Sequence, residues 1–127
     1  MQENFEVLVL DDEIIVCERL QNYFERRGIP VEIFTDSQKA LDRLKEKTFE
    51  VIVSDIKMQG LSGIDVLTIV KKEGYKSEVI LITGYSMLET YRQAEYIGAY
   101  DFIAKPFQMS EIYNLVKKAA KKVHGSK

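Results

Sequence analysis

Five residues of this chain carry side chains suited to phosphoryl chemistry: Asp11, Asp12, Asp55, Thr83 and Lys105. If three carboxylates meet at close range they repel one another, so either some are protonated or a cation sits among them. An oxygen-only ligand set at an exposed crevice suits Mg2+, which takes one or two carboxylates, keeps waters and often holds a phosphoryl oxygen. No histidine or thiolate stands with these acids, which argues against zinc. A carboxylate in such a set can act as nucleophile and become an aspartyl phosphate. The metal and the lysine neutralise charge on the transferring group, and a threonine hydroxyl can donate to a phosphoryl oxygen.

Taken singly, each residue has a plainer reading. Asp11 and Asp12 suit a helix cap. Asp55 suits a surface loop, Thr83 before Gly84 suits a turn, and Lys105 suits solvent. Only their joint placement overturns these readings, and placement depends on the surrounding elements.

Short apolar runs rich in β-branched or aromatic residues lie at 5–10, 31–34, 49–54, 79–82 and 100–104, and read as strands. Val7-Leu8-Val9-Leu10 and Val79-Ile80-Leu81-Ile82 are apolar throughout, as central parallel strands covered on both faces are. Val31-Glu32-Ile33-Phe34 carries a charge and reads as an edge strand. Between the runs the period becomes helical. Val16, Cys17, Leu20, Tyr23 and Phe24 make one stripe, ended by Gly28 and Pro30. Ala40, Leu41 and Leu44 make a second. Ile64, Val66, Leu67 and Val70 make a third, with capping-box spacing at Ser62 and Asp65. Leu88, Tyr91 and Ala94 make a fourth, with capping spacing at Ser86 and Glu89 and a stop at Gly98. Ile112, Leu115, Val116, Ala119 and Val123 make the last.

Strand then helix, five times over, predicts an α/β fold: a flavodoxin-like five-stranded parallel sheet, order 2-1-3-4-5, with helices on both faces. We expect one domain over residues 1–127. Ligands of open α/β sheets bind outside the carboxyl ends of the strands, at the topological switch point. Asp11 and Asp12 leave the first strand, Asp55 the third, Thr83 the fourth and Lys105 the fifth. The first and third strands are neighbours in that order, so all five residues converge on one crevice.

The 127 residues, 46% hydrophobic and 30% charged, fit an ordinary globular protein. A lone cysteine, Cys17, can form no internal disulfide and fits a reducing cytoplasm. A net charge of −2 gives no general attraction to nucleic acid. Lys117, Lys118, Lys121 and Lys122 sit in the last turns of a helix, where cations suit the macrodipole. No apolar stretch approaches the ~20 residues needed to span a bilayer.

The pieces Val-Leu-Asp11-Asp12-Glu13, Val-Ser-Asp55-Ile-Lys-Met58, Gly63, Ile-Thr83-Gly-Tyr85 and Phe102-Ile-Ala-Lys105-Pro106-Phe107 resemble, in order and spacing, the receiver domain of two-component response regulators. The resemblance covers essentially the whole chain. It implies that Asp55 is the phosphoacceptor. It implies that Asp12 and Asp55 bind Mg2+ with the main-chain carbonyl of Lys57, and that Asp11 supports the ion through water. Thr83 and Lys105 would contact the phosphoryl group, Phe102 would turn inward as Thr83 moves, and the Lys105–Pro106 bond would be cis. The implied partner is a sensor histidine kinase. The implied output face is the fourth helix, fifth strand and fifth helix, where Tyr91, Tyr96 and Tyr100 either anchor an output domain or second copy, or merely cover the core. No enzymatic turnover of a separate substrate is expected.

Gln59 stands where proline is frequent in the family, which is expected to loosen the loop after Asp55. Lys57 and Tyr85 flank the site at variable positions and are expected to tune phosphoryl lifetime. The stretches around Ile-Thr83-Gly-Tyr85 and Gly98 to Phe107 look especially like receivers of the nitrogen-regulation class. Those usually precede an ATPase and a DNA-binding module, and nothing after Val123 is expected to be one. His124, in the C-terminal tail, is expected to be inert. Three rivals stand: an aspartyl-phosphate phosphatase, which lacks its Asp-x-Asp segment here; a flavodoxin-like cofactor module, whose phosphate loop is replaced by Asp11-Asp12-Glu13; and a phosphorylation-independent docking module of the same fold.

Overall fold

The computed structural model describes residues 4–84 and 88–125, the side chains of Leu88 and Glu89 excepted. Its elements alternate without exception: β1 Val7–Leu10, α1 Ile14–Glu25, β2 Val31–Phe34, α2 Ser37–Glu46, β3 Val51–Asp55, α3 Gly63–Lys72, β4 Glu78–Thr83, α4 Leu88–Ile97, β5 Asp101–Ala104 and α5 Met109–Gly125. The strands form one parallel sheet in the order β2-β1-β3-β4-β5. β2, with its charged Glu32, is at an edge as its composition predicts.

Alternation along the central strands sends neighbouring residues to opposite faces. Val7, Val9, Val51, Val53, Ile80 and Ile82 pack under α1 and α5, against Cys17, Leu20, Phe24, Ile112, Val116 and Ala119. Leu8, Leu10, Ile52, Val79 and Leu81 pack on the other side, against Ala40, Leu41, Leu44, Val66, Leu67, Val70 and Ala94. Two apolar layers therefore clamp the sheet, and burying a single Leu or Phe in them is worth about 1.5–3 kcal/mol. This rigidity fixes the strand ends that carry the polar residues.

Several boundaries differ from the sequence expectation. β1 begins at Val7, although Phe5 is buried in the core below it. Asp55 and Thr83 do not follow their strands but end them, Asp55 pairing in register with Ile82 and Thr83 with Ala104. Neither Asp11 nor Asp12 caps α1. The cap position is Glu13, which makes no side-chain cap, and Oδ1 of Asp11 accepts the Glu13 N–H at 2.9 Å. α5 runs on to Gly125, so His124 is helical and not in a tail, and its Nε2 lies 3.1 Å from Oε2 of Glu50. The capping box of Ser62 and Asp65 forms as expected. Ser86 and Tyr85 lie outside the described residues, as does the side chain of Glu89. No helix among the described residues is long and apolar enough to cross a membrane.

Candidate functional site

Asp11, Asp12 and Asp55 meet at the carboxyl end of the sheet, each offering a carboxylate oxygen within 4.8 Å of the others. β1 and β3 are hydrogen-bonded neighbours, which places the residue after Leu10 beside the end of β3. Asp11 is buried completely, Asp55 is 6% exposed and Asp12 faces solvent. Burial pushes the Asp11 carboxyl up to about 6, helped by the charge of Asp55 and opposed by the Glu13 N–H and Lys105.

Lys105 is the counter-charge. Its Nζ lies 3.2 Å from Oδ2 of Asp55, 3.2 Å from Oε1 of Glu13 and 3.7 Å from Oδ2 of Asp11. Burial draws its proton affinity down, but the bond to Asp55 and the charges of Asp11 and Asp55 prevail and leave it raised. Its backbone N–H donates to the carbonyl of Thr83 at 2.7 Å, which holds the lysine in place. The Lys105–Pro106 bond is cis, as the resemblance implies. A crevice of about 130 Å³ opens beside Asp55, lined by Lys57, Thr83, Gly84, Thr90 and Lys105.

The site carries an excess of negative charge. Oδ2 of Asp11 is buried and accepts no hydrogen bond, and one ammonium faces three buried or nearby carboxylates. Hard oxygen donors with an unsatisfied buried oxygen fit a divalent cation such as Mg2+. Asp11, Asp12 and Asp55 each offer one carboxylate oxygen to such an ion.

The loop after Asp55 is tied at both ends. The Gly63 N–H donates to the carbonyl of Ile56 at 2.9 Å, and Ser37 Oγ donates to the carbonyl of Leu61 at 3.0 Å. At Gly63 a Cβ would overlap the carbonyl oxygen of Asp55 and approach the Ile56 Cα to 2.9 Å. Only glycine lets α3 start this close to the acidic residue.

Phe102 is half-buried and rests on Tyr91, ring centroids 4.5 Å apart. Tyr100 packs on the core with Lys122 over its ring, whereas Tyr96 is 93% exposed on α4. Tyr100 thus covers the interior, Tyr91 meets Phe102 and Tyr96 projects.

Three contributors escape a reading by residue type. Glu13 directly follows the acid pair, but its pairing with Lys105 spans 92 positions. Thr90 lines the crevice from α4. Cys17, an apolar stripe residue by spacing, also donates from Sγ to the Asp11 carbonyl at 3.3 Å beneath the acids, and burial pushes its thiol up to about 11. The only advance signal was for Glu13, which directly follows the acid pair.

A profile described as "Response regulator receiver domain" matches residues 7–117. The transcriptional regulatory protein ZraR of Escherichia coli K12 is 30% identical over 96% of this chain, which spans 28% of that protein. A putative response regulator NtrX-like protein of Rickettsia typhi is 34% identical over 90% of this chain, which spans 24% of it. The chain therefore spans about a quarter of these curated relatives. Among solved structures, the beryllofluoride-activated NtrC4 receiver domain dimer superposes with a TM-score of 0.86 at 31% identity, covering 93% of this chain and 98% of that one.

Proposed function

The chain belongs to the response regulator receiver domains of two-component signalling systems, and from that premise we propose that it accepts a phosphoryl group on Asp55 and uses it as a switch. The observation that carries this reading is the Lys105 ammonium 3.2 Å from an oxygen of Asp55, inside a cluster of three acids at the switch point of the sheet.

Asp12 and Asp55 would hold Mg2+, with the Lys57 main-chain carbonyl, and Asp11 would support it through water. When bound, the ion supplies positive charge that offsets the acids and the transferring group. Asp55 is the nucleophile. Its carboxylate oxygen bonds to phosphorus as the P–N bond of a phosphohistidine breaks, and the departing imidazole keeps the electron pair and takes up a proton. Lys105 and Thr83 orient and neutralise the phosphoryl oxygens. The donor is a sensor histidine kinase, or a small acyl phosphate in its place.

Phosphorylation adds charge and acceptor oxygens at Asp55. It biases the fold through contacts that differ between two states. Thr83 ends β4 and lines the crevice together with Thr90 of α4, and Phe102 lies on Tyr91 of α4, so movement of Thr83 and inward turning of Phe102 would reshape α4, β5 and α5. That face, with Tyr96 projecting from it, would meet an output domain or a second copy; the NtrC4 relative is a dimer when activated. The setting is cytoplasmic. The domain spans residues 1–127, contacts neither nucleic acid nor membrane, and turns over no substrate beyond its own phosphoryl group.

The test is intact-protein mass after incubation with acetyl phosphate, with and without Mg2+, beside Asp55→Asn. One added phosphoryl group that needs both Mg2+ and Asp55 is expected. Absence of an adduct, together with failure to bind beryllofluoride, would leave the phosphorylation-independent docking module in its place.

A further inference from the structure

Two carboxylates share the Lys105 ammonium equally: Asp55 and Glu13, each at 3.2 Å. Asp55 belongs to the buried acid cluster. Glu13 does not. Its side chain is 64% exposed, it is absent from the trio of converging acids, and holding a cation does not require it. Its backbone is nevertheless firmly placed. The N–H donates to Asp11, and the carbonyl accepts from the N–H groups of Val16 and Cys17 as α1 begins. An exposed carboxylate thus springs from an anchored backbone and reaches the loop after β5.

We infer that Glu13 is a positioning residue that tethers Lys105 in the resting state and competes with the incoming phosphoryl group for its ammonium; this rests on the phosphoacceptor reading above. A lysine ammonium has three donors. In the resting site two of them serve Asp55 and Glu13, and Oδ2 of Asp11 lies 3.7 Å away without accepting a hydrogen bond. A phosphoryl group on Asp55 brings three strong acceptor oxygens. Lys105 can serve them only by giving up part of its present contacts, and the Glu13 contact is the one not bound into the acid cluster. Since Glu13 interacts with Lys105 more strongly in the resting state than in the phosphorylated one, it biases the equilibrium toward rest. An exposed ion pair is a weak one, so Glu13 trims the balance and does not lock it.

The experiment compares the parent with Glu13→Gln in two readouts. The first needs no phosphorylation: the rate at which an acylating reagent labels Lys105, measured by peptide mapping against exposed Lys39. The second is beryllofluoride affinity in Mg2+. The expectation is faster labelling of Lys105 and tighter beryllofluoride binding, each by about two- to five-fold. Unchanged labelling overturns the tether, including the case where affinity rises alone, which is plain charge repulsion. Faster labelling with unchanged or weaker affinity overturns the competition. If the parent itself takes up neither acetyl phosphate's phosphoryl group nor beryllofluoride, the phosphoacceptor reading fails and with it the competition, while the labelling rate still decides whether the tether exists.

Discussion

Lys105 donates from Nζ to Oδ2 of Asp55 at 3.2 Å, bridging the ends of β5 and β3 across the intervening β4. In the resting site this ammonium occupies a carboxylate oxygen that a divalent cation would also draw on. The two cations would therefore compete for the same charge.

Lys105→Ala is expected to tighten Mg2+ binding while slowing phosphoryl uptake. Removing one unit charge at this range, in a partly exposed site, corresponds to about 1 kcal/mol, or roughly five-fold in affinity. Titration calorimetry with Mg2+ measures the first effect and adduct formation from acetyl phosphate the second. Weaker Mg2+ binding would show that Lys105 organises the acids instead of competing for them.

Asp11 should give the metal-free protein an unusual pH slope. Its carboxyl stands at about 6 in the fold against an ordinary 3.8, raised by burial. The folded state therefore holds more protons than the unfolded state between these values. The stabilisation is fully present below about 4 and is lost as pH rises through about 6. With chelator present, stability should fall across this window by about 1–3 kcal/mol from this group. Urea midpoints at stepped pH check it. In Asp11→Asn the slope should flatten, and an identical slope in both proteins would remove Asp11 as its source.

Gly63→Ala should be destabilising by about 2–4 kcal/mol, because the new methyl meets backbone atoms of Asp55 and Ile56 that cannot step aside without moving the site. Gly84→Ala, where a Cβ meets nothing within 4 Å, should stay within about 0.5 kcal/mol of the parent. Denaturant midpoints of the two variants side by side test the contrast. Equal midpoints would mean that the loop after Asp55 relaxes freely.

Lys57 is exposed and lines the mouth of the crevice beside Asp55. Its ammonium should shield a phosphoryl group from water. Lys57→Ala is therefore expected to shorten phosphoryl lifetime by about two- to five-fold, the scale of one exposed charge. Following loss of the adduct by mass after removing the donor measures this, and unchanged decay would remove Lys57 from the control of lifetime.

The fold was legible because its signals are local. Val7 to Leu10 and Val79 to Ile82 carry no polar residue, and their brevity and β-branched content mark them as strands covered on both faces. The stripe of Cys17, Leu20 and Phe24 can face the sheet only as a helix, and Ser62 with Asp65 announces α3 by hydrogen bonds three residues apart. Convergence of Asp11, Asp12, Asp55, Thr83 and Lys105 followed from strand order alone. Boundaries were less secure. Asp55 and Thr83 are types that usually end a run, but ladder pairing with Ile82 and Ala104 keeps them in their strands. α5 likewise runs past Val123 to Gly125, against the weak helix propensity of His124 and Gly125, with His124 meeting Glu50.

Apolar periodicity fixes the elements and alternation fixes their faces, so which residue types stand at which strand ends is readable along the chain. Which groups share charge emerges only in three dimensions. The pairing of Glu13 with Lys105, the unsatisfied oxygen of Asp11 and the close approach at Gly63 each depend on atoms brought together from distant parts of the chain. Periodicity reports which way a side chain faces. It does not report the few ångströms that separate a counter-ion from a bystander, and at those distances the electrostatics of this site are set.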